Sequence, residues 1–170
     1  MIKLVFVFLL VMSSYFGFSQ NAKDDVSVEK SVFGIQIGLL GIWAHNELKL
    51  SNQVALRSEI GLGGVNTANI VPILALEPRW YYNLNERADK NKRIDGNSGN
   101  YFSLRASYHF RTALEAEDND VNRMFMAPTW GIRRNLGDHF NYEVGVGGGL
   151  GYRREVVFAP YVNLRIGYRF

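Results

Sequence analysis

The chain of 170 residues contains no cysteine, which removes disulfide scaffolding, thiol catalysis, Cys-ligated zinc and lipoprotein attachment through a cysteine. A dominant charge sign is lacking too. Nineteen basic residues against 16 acidic ones leave a formal charge of +3, so the high pI is a near-cancellation and gives no argument for nucleic acid. The three histidines, His45, His109 and His139, are scattered without ligand spacing, and neither a metal nor a cofactor is expected. Beyond the N-terminus no apolar run approaches the roughly 20 residues of a spanning helix. No 3.6-residue period competes with strand patterns over any comparable length.

What is present begins with a three-part leader. Lys3 precedes the apolar run Leu4 to Met12, and Gly17 and Ser19 supply small residues. This order predicts a secretory signal peptide over residues 1–19, a mature chain starting near Gln20, a flexible polar lead-in over 20–30 and one domain over 31–170.

The domain is written in alternation, most clearly at its end. Val162, Leu164, Ile166, Tyr168 and Phe170 alternate with Asn163, Arg165, Gly167 and Arg169, giving a strand with one apolar and one charged face. Similar segments precede it around Leu56–Leu62, Ile70–Leu84, Phe102–Phe110, Met124–Ile132 and Phe140–Tyr152. Pro72 and Pro78 fall on the apolar face of the second of these, a defect in a closed sheet unless a bulge absorbs it. Over 31–50 the phase switches: Phe33, Ile35, Ile37 and Leu39 are odd, Leu40, Ile42, Ala44, Leu48 and Leu50 even, with Gly38 and Gly41 at the switch. A face changes sides only through a turn or bulge. Splitting 31–50 into two strands brings the count to eight, the even number a bacterial single-chain barrel requires.

These patterns predict an all-β, antiparallel up-and-down transmembrane β-barrel of about eight strands, apolar faces outward. Placing Phe170 in the periplasm makes the turns near Ser51, Asp89 and Gly137 periplasmic and the loops near Val65, Asn119 and Arg154 external. Trp80, Tyr82, Tyr101, Phe102, Phe140, Tyr142, Tyr168 and Phe170 then form one interfacial aromatic girdle. The long polar connection Asn85 to Asn100 departs from the rule that periplasmic turns are short. Arg87, Lys90, Lys92 and Arg93, diluted by Asp89 and Asp95, make it a solvated turn.

The inward set holds Glu47, Glu59, Glu77 and Glu143 with Arg57, Arg79, Arg105, Arg133 and Arg165. An eight-strand interior is just wide enough for side chains to fill. These charges are therefore expected to pair across the lumen as a structural network, the alternative being a charged permeation path.

The segments Glu77–Asn83, Gly96–Tyr101, Pro128–Asn135 and Asn163–Phe170 resemble small outer-membrane β-barrel proteins of Gram-negative bacteria often described as porin-like. The resemblance covers nearly all of the mature chain. It implies an outer-membrane location, outer-membrane lipid as surroundings, and Tyr168 and Phe170 as the C-terminal signal read by the insertion machinery; a monomer is expected. It implies no catalytic residue, and no enzyme is expected. Two further functional readings remain: a narrow channel for small polar solutes, and a lipid-modifying enzyme resting on Ser107 and His109, which share the inward face. His45 and Glu47 share a face in the same way. Glu115, Glu117, Asp118 and Asp120 lack the glycine and spacing of a calcium loop. Gly145–Gly151 has no following Lys-Ser/Thr and no helix, so its glycines are read as room for large interior side chains.

Overall fold

The computed structural model describes residues 26–64, 70–110, 123–152 and 155–170. The leader, the acidic segment around Asp118 and the loops at Val65 and Arg154 lie outside them. Eight strands run in order: β1 (Ser31–Gly38), β2 (Gly41–Lys49), β3 (Val54–Gly63), β4 (Val71–Trp80), β5 (Asn100–His109), β6 (Arg123–Leu136), β7 (Phe140–Tyr152) and β8 (Val156–Arg169). Each pairs antiparallel with the next, and β8 returns to β1 to close the barrel.

The phase switch in 31–50 is a turn. Gly38 opposes Gly41 with only Leu39 and Leu40 between them. Gly41 adopts φ 141°, where a side chain is strained, and a Cβ there would lie 2.0 Å from the Leu62 carbonyl oxygen. Even residues of β1 and odd residues of β2 to β8 face inward as a result.

Closure sets the tilt. Directly opposed residues lead from Ile35 through Ala44, Ile60, Leu74, Tyr108, Met124 and Tyr152 to Val156. Across the seam, however, Ile35 opposes Tyr168, twelve residues further along β8. A stagger of this size leans the strands by about 45° from the barrel axis.

The prolines are absorbed without a bulge. Leu164 turns its carbonyl toward β1, where Leu39 donates to it. Pro160, four residues away on the same phase, therefore turns its missing donor toward the stretch of seam that β1 does not reach. Pro78 points toward β5 and Pro128 toward β7. Pairing lapses locally at each, and resumes in the same register on both sides.

The connection after β4 is solvated along its basic stretch, where Lys90, Lys92 and Arg93 are exposed, but it is more than a turn. Leu84–Asp89 forms helix α1, and Asp95–Asn97 forms a single 3-10 turn. Leu84, expected on the outward apolar face, is instead fully buried with Val28, Ala55, Tyr81 and Tyr101, and Val26 and Ile94 pack against them. Gly96, Asn97, Ser98 and Gly99 are buried too. The segment folds under the end of the barrel that carries Phe170 and caps it.

Of the lead-in expected to be flexible, the described residues 26–30 join this cap. Val28 donates its amide to the Asn52 carbonyl (2.8 Å), and Glu29 donates its amide to Asn97 Oδ1 (2.8 Å). Arg169 fastens the arrangement from β8: Nη1 reaches Glu29 Oε1 at 3.0 Å and Nη2 reaches Asp95 Oδ2 at 3.1 Å.

Candidate functional site

All nine charged residues predicted for the interior project inward and are buried. Strand phase puts them there: Glu47 on β2, Arg57 and Glu59 on β3, Glu77 and Arg79 on β4, Arg105 on β5, Arg133 on β6, Glu143 on β7 and Arg165 on β8. Several also oppose each other in register, as Glu47 does Arg57, Arg57 does Glu77, and Glu143 does both Arg133 and Arg165.

Glu47 is the hub. Its Oε1 accepts from Arg57 Nη1 (3.0 Å), Arg79 Nη1 (3.2 Å) and Arg133 Nη1 (2.6 Å). Its Oε2 accepts from the Tyr81 hydroxyl (2.9 Å) and Asn97 Nδ2 (2.8 Å), which ties the network to the cap. Glu143 accepts from Arg57 (3.1 Å), from Arg79 and from Gln36 Nε2 (2.8 Å).

Nearer the opposite end, Glu59 accepts from Arg57, from Arg105 and from Arg165 Nη1 (2.6 Å). Glu77 accepts from Arg79 Nη2 and Arg105 Nη1, both at 3.2 Å, and from Ser103 Oγ at 2.7 Å. Guanidinium faces also cover aromatic rings. Arg79 lies 4.3 Å from the Tyr101 centroid and Arg165 lies 4.6 Å from that of Trp43. A buried ion is tolerated only with such close and multiple pairing, since its lost hydration costs several kcal/mol even after relaxation.

Gln36, Tyr81, Asn97, Tyr101 and Asn141 belong to this interior although the charge pattern did not single them out. Gln36 and Asn141 carried the signal of inward phase, and Tyr81 and Tyr101 continued the inward phase at strand ends. Tyr101 thus leaves the predicted girdle: its ring is buried over Gly131, where a Cβ would come within 2.4 Å of it. Asn97 lay in a polar connection and had no signal.

Around this polar interior runs an apolar exterior. Ile35, Ile42, Ile60, Leu74, Leu76, Leu104, Met126, Val146, Leu150, Val162, Leu164 and Ile166 are among the exposed hydrophobics. At the capped end lie the predicted girdle residues Trp80, Tyr82, Phe102, Phe140, Tyr142, Tyr168 and Phe170, together with Phe33. Their rings interlock at 5.1 to 6.4 Å, as in Trp80–Phe102, Phe140–Tyr168 and Tyr168–Phe170. Tyr108, Phe110, Tyr152 and Phe158 lie toward the other end, a second aromatic set that the sequence reading did not separate. From Tyr168 to Phe158, ten residues of tilted strand rise roughly 25 Å.

The remaining candidates are smaller. Ser107 Oγ and His109 Nε2 lie 3.1 Å apart on the inward face of β5. Among the described residues no hydrogen bond joins His45 to Glu47, and neither ring nitrogen of His45 has a hydrogen-bond partner. Among the described residues no group of three or more His, Asp or Glu could hold a metal ion. Of the inward glycines, Gly149 makes room for Phe125, whose ring would lie 2.5 Å from a Cβ there, whereas Gly151 has only ordinary contacts. Comparison with protein-family models, curated proteins and solved structures finds no match.

Proposed function

We propose that the protein is an integral outer-membrane barrel with a structural or surface-interaction role, its lumen closed by ion pairs and a cap. The observation that carries this reading is the inversion of polarity across the wall: fully buried Arg57, Arg133, Glu47 and Glu143 inside, and Leu76, Val146 and Leu150 at 51 to 56% exposure outside. In water such an exterior would drive aggregation. In lipid it is the stable arrangement, because a closed barrel satisfies its backbone within the sheet and presents hydrocarbon to hydrocarbon.

Aromatic belts about 25 Å apart match the apolar band of such barrels. The leader and the terminal Tyr168–Phe170 pair fit export and insertion. The packed interior favours this non-conducting reading over a channel.

Cell fractionation tests it. The chain is expected in the outer-membrane fraction, resistant to alkaline carbonate and released by detergent. Recovery as a soluble periplasmic protein without detergent contradicts the proposal.

A further inference from the structure

Two guanidiniums at the capped end, those of Arg87 and Arg134, have no counter-charge. Among the described residues no carboxylate, Asp89 included, pairs with either. The acidic side chains of the cap pair elsewhere: Glu86 with Lys90, Asp95 with Arg93 and Arg169, Glu29 with Arg169 and Asp138 with Arg93.

The two cations come together on the outside of the wall. Arg134 has the outward phase of β6, and Tyr142 opposes it on β7. Its Nη1 donates to the Arg133 carbonyl (2.7 Å), and Ser98 Oγ donates to the same carbonyl (3.4 Å). Arg87 Nη2 reaches that Ser98 oxygen from α1 at 3.5 Å. The guanidiniums are thus linked through Ser98 and one backbone oxygen, close enough for their charges to act on each other, with Tyr142 near both. Arg134 Nη2 donates to Asn100 Oδ1. Asn100 Nδ2 and Trp130 Nε1 in turn donate to the Tyr82 hydroxyl oxygen, at 3.3 and 2.9 Å. Tyr82 therefore accepts twice and keeps its own hydrogen to donate.

We infer that Arg87 and Arg134 hold the phosphate of a phospholipid headgroup, an inference that rests on the membrane reading above. The oxygens of Arg93, Arg133 and Asn100 accept hydrogen bonds from these guanidiniums but bring no charge. A phosphate brings both charge and the paired acceptors that guanidinium geometry matches. Position selects lipid as its source. Arg87, Arg134, Tyr82 and Tyr142 are all half-buried, and the two tyrosines belong to the aromatic girdle, at the level where headgroups lie.

The test titrates the full chain in detergent with short-chain phosphatidylglycerol, with a galactosyl diacylglycerol of the same chains, and with inorganic phosphate. Wild type is expected to melt about 5 °C higher at a hundredfold excess of phosphatidylglycerol over its Kd, and to be unmoved by the other two. Arg134→Gln and Arg87→Gln are expected to lose most of this shift while folding without lipid as wild type does. Lys92→Gln, at an exposed cation of the same connection, is expected to keep it. No shift with phosphatidylglycerol, an equal shift with the galactolipid, or a shift that survives in either arginine variant overturns the inference. An equal shift with inorganic phosphate overturns lipid as the source. These outcomes leave the membrane reading standing, whereas failure of wild type to insert into vesicles of either lipid defeats that reading and this inference with it.

Discussion

Glu47 shows how much one inward residue can hold together. One of its oxygens meets three guanidiniums and the other meets a tyrosine of β4 and an asparagine of the cap. Converting it to glutamine preserves shape but strands positive charge in a dry interior, a change that costs roughly 3–5 kcal/mol when one partner of a buried pair is lost. Glu47→Gln is therefore expected to fold with a markedly lower urea midpoint in detergent. A midpoint equal to wild type would mean that water reaches these guanidiniums. The type of this residue was legible in the sequence, but its centrality was not. Period-two alternation marks Glu47 as inward, whereas the convergence of strands β3, β4 and β6 on it depends on barrel stagger and the length of each side chain.

At the scale of elements, the strands and the cap differ in what made them readable. Each strand repeats its signal every second residue, so the inward and outward faces follow from phase, whereas the turn at Leu39–Leu40 needed the even strand count to choose it over a bulge. The cap offers only Leu84 and Ile94 as apolar markers among many polar residues, and its burial depends on the barrel end beneath it. The prolines misled for a related reason: a missing donor matters only if it points at a neighbour, and that direction follows from pairing, not from composition.

The cap also has its own pH dependence. Hydrogen bonding from Arg93 holds the Asp95 carboxyl below its ordinary value of 3.8, with Arg169 and Asn135 adding to the effect. A depressed carboxyl stabilises the folded cap fully above that ordinary value, and the contribution disappears as pH falls through the lower folded value. Amide exchange over 84–99 is expected to rise at pH below 3.8 while strand amides stay protected, and Asp95→Asn is expected to exchange faster already at neutral pH. Exchange in this segment that is independent of acid and unchanged by Asp95→Asn would place the cap's stability in Leu84 and Ile94 instead.

The whole molecule is organised by one inversion: ion pairs inside the wall, hydrocarbon outside it. The fold was legible because an inverted barrel writes both faces into every strand, and the apolar and charged phases of β8 reach unbroken from Val162 to Arg169. Function was less so, since a filled lumen carries the same alternation whether or not the outer loops engage a partner. The absence of cysteine permits the most direct measurement. Single cysteines placed in turn from 162 to 167 on β8, spin-labelled after reconstitution into lipid vesicles, report whether each position meets oxygen dissolved in the bilayer. Labels at Val162, Leu164 and Ile166 are predicted to be oxygen-accessible and shielded from a water-soluble nickel complex, with Asn163, Arg165 and Gly167 shielded from oxygen. Nickel access at the even positions, or no alternation along the strand, would contradict the placement of this barrel in a membrane.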